Sequence, residues 1–236
     1  MKYDLENINA RFGIGSQKWQ EMKNNPLVDE KVIPFSVADM EFKLAPEITE
    51  GLKKFIDDNI LGYAGTNKKY RENVCKWQQK HHDFTVDEKW LVETHSVVNA
   101  FFTAVKAFTQ KGDGVMLFTP VYYPMYKAIE INQRKLVEIP LINNGMTYDI
   151  DWDLFTKKAK AIDTKMLILC SPHNPCGRIW TREELTKISE ICLVNDILVV
   201  SDEIHADLIM PGFKHVSYGT ISKEALEHSI ICTAPS

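Results

Sequence analysis

Residues 197–207, ILVVSDEIHAD, decide the fold: an unbroken apolar run passes directly into a serine and two acids. A strand with one wet face alternates apolar and polar residues, whereas a continuous run is buried on both faces, as in a parallel sheet covered by helices. The same change of character recurs where MLILC (166–170) meets SPHNPCGR (171–178) and where VMLF (115–118) meets TPVYYPMY (119–126). It occurs a fourth time where SIICT (229–233) meets APS (234–236). Helical spacing of apolar residues fills the intervals near 97–109, 122–131, 151–161 and 182–195. Strands separated by helices predict an α/β fold, a three-layer sandwich around a mostly parallel sheet. Ligands of such sheets sit outside the carboxyl ends of the strands, so the four polar segments are where chemistry is sought.

Upstream of this pattern the first fifty residues read as an irregular arm. It carries a short polar helix near 16–23, the break Asn24-Asn25-Pro26, and PFSVADMEF (34–42) with a proline near each side. From Pro46 a helix is predicted over PEITEGLKKFIDDN (46–59), with Ile48, Leu52, Phe55 and Ile56 at helical spacing. A turn through Gly62 and Gly65 leads to a second amphipathic helix over 70–81. The boundary therefore falls between an arm, 1–45, and a domain, 46–236.

Composition narrows the function classes. The 236 residues carry 28 Lys and Arg against 32 Asp and Glu, a net charge of −4 without blocks of one sign, which argues against a nucleic-acid or anionic-membrane surface. No apolar run reaches the length of a membrane span, and the first thirty residues lack the basic start and apolar stretch of a signal peptide, which makes the cytoplasm the expected compartment. The five cysteines form no CxxC pair and are expected as small buried apolar residues, with Cys176 the exception because it lies in a Pro/Gly loop.

Particular residues in the polar segments invite chemistry. Thr94 or Ser96 can cap a helix whose apolar face is Val98, Phe101, Phe102 and Val105; its free N–H groups suit a phosphate, although plain capping explains the pattern too. Asp202 and Glu203 follow a wholly apolar strand, where a carboxylate needs a partner, either an ordinary salt bridge or a cationic ring nitrogen. His173 and His205 could join Asp202 around a metal, but the spacing matches no established site and no metal is expected. Asn174, between His173 and Pro175, is a turn residue or a preorganised amide. Tyr122 and Tyr123 open a helix just past a strand, and one of them could offer a flat face to a ring.

Taken together, VADMEF (37–42), LGYAG (61–65), TPVYYPMYKAI (119–129), SPHNPCGRIWTREEL (171–185), SDEIHADLIMPGFKH (201–215) and TAPS (233–236) resemble fold-type I pyridoxal-phosphate enzymes of the aminotransferase class I/II superfamily. The closer resemblance is to the MalY/PatB branch, the cystathionine β-lyase or C–S lyase group. It implies that Tyr122 stacks on the ring of pyridoxal 5'-phosphate, Asn174 hydrogen-bonds its phenolic oxygen, Asp202 pairs with its ring nitrogen, and His205 lies near the phenolic oxygen. Val97 and Val98 would offer backbone N–H groups to the phosphate, Ser236 a hydroxyl, and Tyr63 would reach the phosphate from the neighbouring subunit of a homodimer. The arm 1–45 would belong to a small domain, and 46–236 would be the large cofactor-binding domain.

Three features depart from the family pattern. The phosphate helix reads THSVVNA (94–100) where relatives often carry a glycine and prolines, and Ser36 stands where an aromatic commonly precedes VADM. The sequence also ends at Ser236, where the family places its Schiff-base lysine at the next position. That lysine, most of the small domain and the arginine for the substrate carboxylate are expected outside this chain. The resemblance implies a lyase that cleaves cystathionine, cysteine or related S-conjugates to thiol, pyruvate and ammonia. An aminotransferase on the same scaffold, or an inactive interaction protein that keeps the fold, are the alternatives.

Overall fold

A computed structural model describes residues 3–9, 11–28, 32–36, 39–63 and 65–235; Val37, Ala38, Ala64 and Ser236 of the quoted motifs lie outside them. The chain forms two compact units, Met1–Gly65 and Thr66–Ser236. In the first, α1 (Gln17–Lys23) presents Lys18 and Trp19 to the buried Glu41, which accepts from Trp19 Nε1 at 2.9 Å and Arg11 Nε at 3.1 Å and pairs with Lys18. Helix α2 (Pro46–Asp58) opens with proline at its first position, where a missing N–H costs nothing. Its stripe Ile48, Leu52, Phe55 and Ile56 is about half exposed at each position. The helical spacing is as expected, but the stripe joins no buried core.

The second unit begins with α3 (Lys68–His82), capped by Asn67, whose side chain accepts from Tyr70 N–H. The alternating part follows: α4 (Val97–Phe108), β1 (Gly114–Thr119), α5 (Tyr123–Ile131), β2 (Lys135–Pro140), the hairpin β3 (Ile142–Asn143) and β4 (Tyr148–Asp149), α6 (Trp152–Ala159) and β5 (Thr164–Cys170). Then come α7 (Arg182–Val194), β6 (Leu198–Asp202), α8 (Lys223–Glu227) and β7 (Ser229–Cys232). The start of α7 is written in TREE: Thr181 Oγ1 accepts from Glu184 N–H and the Glu184 carboxylate accepts from Thr181 N–H, a capping box.

Five strands form one parallel sheet in the order β2-β1-β5-β6-β7. On one face Val115, Leu117, Met166, Ile168, Val200 and Cys232 pack with Phe101 and Val105 of α4 and Met125 and Ile129 of α5. On the other, Met116, Phe118, Leu167, Leu169 and Val199 pack with Phe155 of α6, Leu185, Ile188 and Cys192 of α7 and Ala225 of α8. The expected three layers are present, and strand alternation assigns each core residue to its side. Edge strand β2 is an addition to the sequence reading. Its only fully buried residue is Ile139, so it carries no continuous apolar run to announce it.

Candidate active site

The parallel register brings the strand ends together. Cys170 of β5 pairs with Asp202 of β6, and Asp202 pairs with Cys232 of β7. The segments carrying Tyr122, Asn174 and Asp202 therefore leave three neighbouring strands, β1, β5 and β6, on the same edge of the sheet. Tyr122 is the residue before α5, is partly buried against the α4–α5 core, and has its ring 5.4 Å from that of Tyr123. Burial raises its pKa, and the nearby Tyr123 and Asp202 add to the effect. Tyr123 is largely exposed, so of this pair only Tyr122 packs against the core.

Asp202 and Glu203 are adjacent buried acids with opposite fates. Glu203 is fully engaged: Oε1 accepts from Ser201 Oγ at 3.0 Å and from Tyr218 N–H at 2.8 Å, and Oε2 lies 3.1 Å from His215 Nε2. It closes the base of the loop 204–217 and is an element of the fold. Asp202 is 3% exposed, and among the described residues its carboxylate accepts only from Ile204 N–H, at 3.2 Å. No cation pairs with it among the described residues. Burial pushes its pKa up to about 6, and neighbouring Glu203 adds to the rise. A buried carboxylate so lightly held is built to meet a cationic donor from a ligand, and the pyridinium N–H of pyridoxal phosphate is such a group.

The other candidates fall around it. Asn174 is held through its backbone, whose N–H points at Cys170 Sγ at 3.3 Å, and its carboxamide has no partner among the described residues. His205 is partly buried, with its pKa lowered by that burial. At α4, Ser96 rather than Thr94 is the cap: Ser96 Oγ accepts from Asn99 N–H at 3.1 Å, whereas Thr94 Oγ1 donates to the Ser96 carbonyl. The N–H groups of Val97 and Val98 precede the first intrahelical bond and remain available to an anion. Tyr63 belongs to the first unit and is fully exposed; Ser236 lies outside the described residues.

Two features escape a reading by residue type. His173, weighed above as a metal ligand, instead places Nε2 2.9 Å from the Pro120 carbonyl, and no metal-binding cluster of three or more His, Cys, Asp or Glu occurs among the described residues. Cys170, which reads as one more apolar residue, supports Asn174 and borders Asp202. Its place as the last residue of a strand before a ligand loop was the available signal. Cys176 has its thiol pKa raised by burial, opposite to what a reactive thiolate needs.

This chain is 39% identical over 226 residues to cystathionine beta-lyase PatB of Bacillus subtilis (strain 168), an alignment that covers 96% of this chain and 58% of that protein. It is 27% identical over 222 residues to protein MalY of Escherichia coli (strain K12), covering 94% and 57% respectively. Among solved structures, cystalysin from Treponema denticola, which contains a pyridoxal 5'-phosphate cofactor, superposes with a TM-score of 0.97 at 45% identity, covering 100% of this chain and 60% of that one. The chain thus spans less than two thirds of the length of these relatives. Residues 30–234 match the family Aminotransferase class I and II, and with the sheet and strand-end loops described above this chain belongs to that family.

Proposed function

We propose that the whole protein is a pyridoxal-phosphate-dependent carbon–sulfur β-lyase acting on cystathionine, cysteine or a related S-conjugate. The observation that carries the cofactor assignment is Asp202, a buried carboxylate without an ion-pair partner among the described residues, at a strand end beside Tyr122. Similarity to PatB and cystalysin supports the choice of lyase within the family.

When bound, the cofactor supplies an electron sink for the pair left behind as the substrate α-proton departs. Asp202 would keep the ring nitrogen protonated through a charge-assisted hydrogen bond and so maintain that sink. Tyr122 would supply a flat apolar face, the Asn174 carboxamide would donate to the phenolic oxygen, and His205 would stand near that oxygen. Val97 and Val98 N–H groups would hold the phosphate, aided by the positive end of α4, and the family resemblance adds the hydroxyl of Ser236, which lies outside the described residues.

The same reading makes residues 1–45 part of a small domain, 46–236 the large domain, and Tyr63 a contribution from the partner in a homodimer. Among the described residues no helix is long and apolar enough to cross a membrane. The five cysteines are free thiols, which supports a reducing compartment, and we place the protein in the cytoplasm.

The deciding experiment gives the full-length protein L-cystathionine or L-cysteine and follows pyruvate and free thiol alongside amino-group transfer to 2-oxoglutarate. Continuous pyruvate and thiol release without a keto-acid acceptor is expected. Rapid transfer without thiol release would make it an aminotransferase, and absence of both, with no cofactor absorbance, would leave an interaction protein on this fold.

A further inference from the structure

His173 is buried in the loop that leaves β5, and its ring reaches the loop that leaves β1. Nε2 lies 2.9 Å from the Pro120 carbonyl oxygen, 53 residues away in sequence. A carbonyl only accepts, so Nε2 carries the proton in this contact. The ring stands edge-on to Trp180, with centroids 5.5 Å apart at 74°, and Trp180 is fixed by its own Nε1–H to the Cys170 carbonyl at 2.9 Å. The backbone is held equally firmly: His173 N–H donates to the Arg178 carbonyl at 2.7 Å, and Gly177 N–H donates to the His173 carbonyl at 2.8 Å. Burial lowers the imidazole pKa, so the ring is neutral near pH 7 and no charge is placed behind the site.

Pro120 stands two residues before Tyr122, and His173 stands immediately before Asn174. We infer that His173 is a positioning residue: its Nε2–H bond to Pro120 locks the Tyr122 loop to the Asn174 loop and fixes the spacing between the aromatic face and the amide. Without His173 the Pro120 carbonyl would keep, among the described residues, only the long contact to Cys176 Sγ at 3.9 Å, a weak donor, and small displacements of binding groups are costly to a preorganised site. Histidine suits the task because it combines a flat edge for Trp180, a donor at the required reach and no charge. A leucine would keep much of the bulk and lose the donor, while a glutamine would keep a donor. The purpose of this lock rests on the cofactor reading above; its geometry does not.

The test compares His173→Leu and His173→Gln in the full-length protein. In cofactor-free protein, amide hydrogen exchange over residues 119–126 is expected to quicken about tenfold in His173→Leu and to stay within about threefold of the parent in His173→Gln. In parallel, His173→Leu should bind pyridoxal phosphate about tenfold more weakly and lose part of the visible dichroism of the bound cofactor, while His173→Gln retains both. Parental exchange in His173→Leu would overturn the lock, as would His173→Gln behaving like His173→Leu. Should His173→Leu fail to fold, His173→Gln decides alone: retained exchange protection and dichroism support the lock, and loss of both overturns it. A parent protein that takes up no pyridoxal phosphate refutes the cofactor reading, while the exchange measurement still judges the lock.

Discussion

Cys170 and Asp202 are direct neighbours across the β5–β6 pairing, and Cys232 stands level with Asp202 on its other side. The most lightly held carboxylate of the candidate site is thus flanked by thiols rather than by charges. Burial pushes both thiols up to about 12, with Asp202 adding to the rise, so neither is ionised at neutral pH. They neither neutralise Asp202 nor compete with it for a cation.

This environment makes Asp202 a stability cost in cofactor-free protein. Its pKa, near 6 in the fold, exceeds that of an unfolded aspartate, so the native state holds the extra proton between about pH 4 and pH 6. Stability therefore falls as pH rises through that window, by about 2–3 kcal/mol at most, and the full cost stands above pH 6. Asp202→Asn should raise the calorimetric Tm of cofactor-free protein at neutral pH and leave it nearly unchanged near pH 4. A lower Tm at neutral pH would mean that Asp202 has a stabilising partner.

Activity should move in the opposite direction. If the proposed function holds, Asp202→Ala removes the counter-ion of the ring nitrogen and should lower pyruvate release at least about a hundredfold in the full-length protein. Asn174→Ala removes one neutral donor and should cost about tenfold. If Asn174→Ala were the more damaging of the two, the assignment of roles would be wrong.

Tyr63 is open to solvent in the first unit, as a residue that serves a partner subunit would be. On the proposed reading, an isologous dimer would have each Tyr63 complete the other subunit's site. Mixing inactive Tyr63→Phe with inactive Asp202→Ala protein should then restore part of the activity through hybrid dimers. No recovery after subunit exchange has been verified by mass would count against action in trans.

Gly219 offers a test confined to the fold. A Cβ there would lie 2.6 Å from Phe84 Cζ and 2.9 Å from Phe84 Cε2, and the Phe84 ring is buried. Gly219→Ala should therefore destabilise the protein by about 1–3 kcal/mol in urea unfolding. Tyr218, the residue before Gly219, holds Glu203 through its N–H, so a shift of the backbone there should also cost the loop bearing His205 some protection in hydrogen exchange. An unchanged midpoint would show that the Phe84 ring turns aside freely.

Much of this was legible because burial on two faces leaves a plain mark on a strand. The runs at 115–118, 166–170, 197–201 and 229–233 became β1, β5, β6 and β7 within a residue or two. KLVEIP, at 135–140, became β2 without such a mark, because an edge strand with exposed Lys135, Leu136 and Glu138 needs no unbroken apolar run. Residue type also placed Asp202 and Glu203 among groups in need of partners. Which one the fold satisfies was not legible, since His215 and Tyr218 approach Glu203 only through the return of a long loop. The bond from His173 to Pro120 was hidden for the same reason: it joins residues that meet only when β1 and β5 pair.

The sheet order has a further consequence for how the molecule matures. Strand β5 follows β1 and β2 in the chain and lies between β1 and β6 in space, so it must pair with β1 before the three loops of the candidate site share an edge. Closing such long stretches is the slow part of forming a parallel sheet, because the entropy of closure precedes the contacts that offset it. A half-formed sheet therefore offers no half-strength version of the pocket. On the proposed reading, cofactor uptake would therefore follow the placing of β5 rather than accompany its early steps.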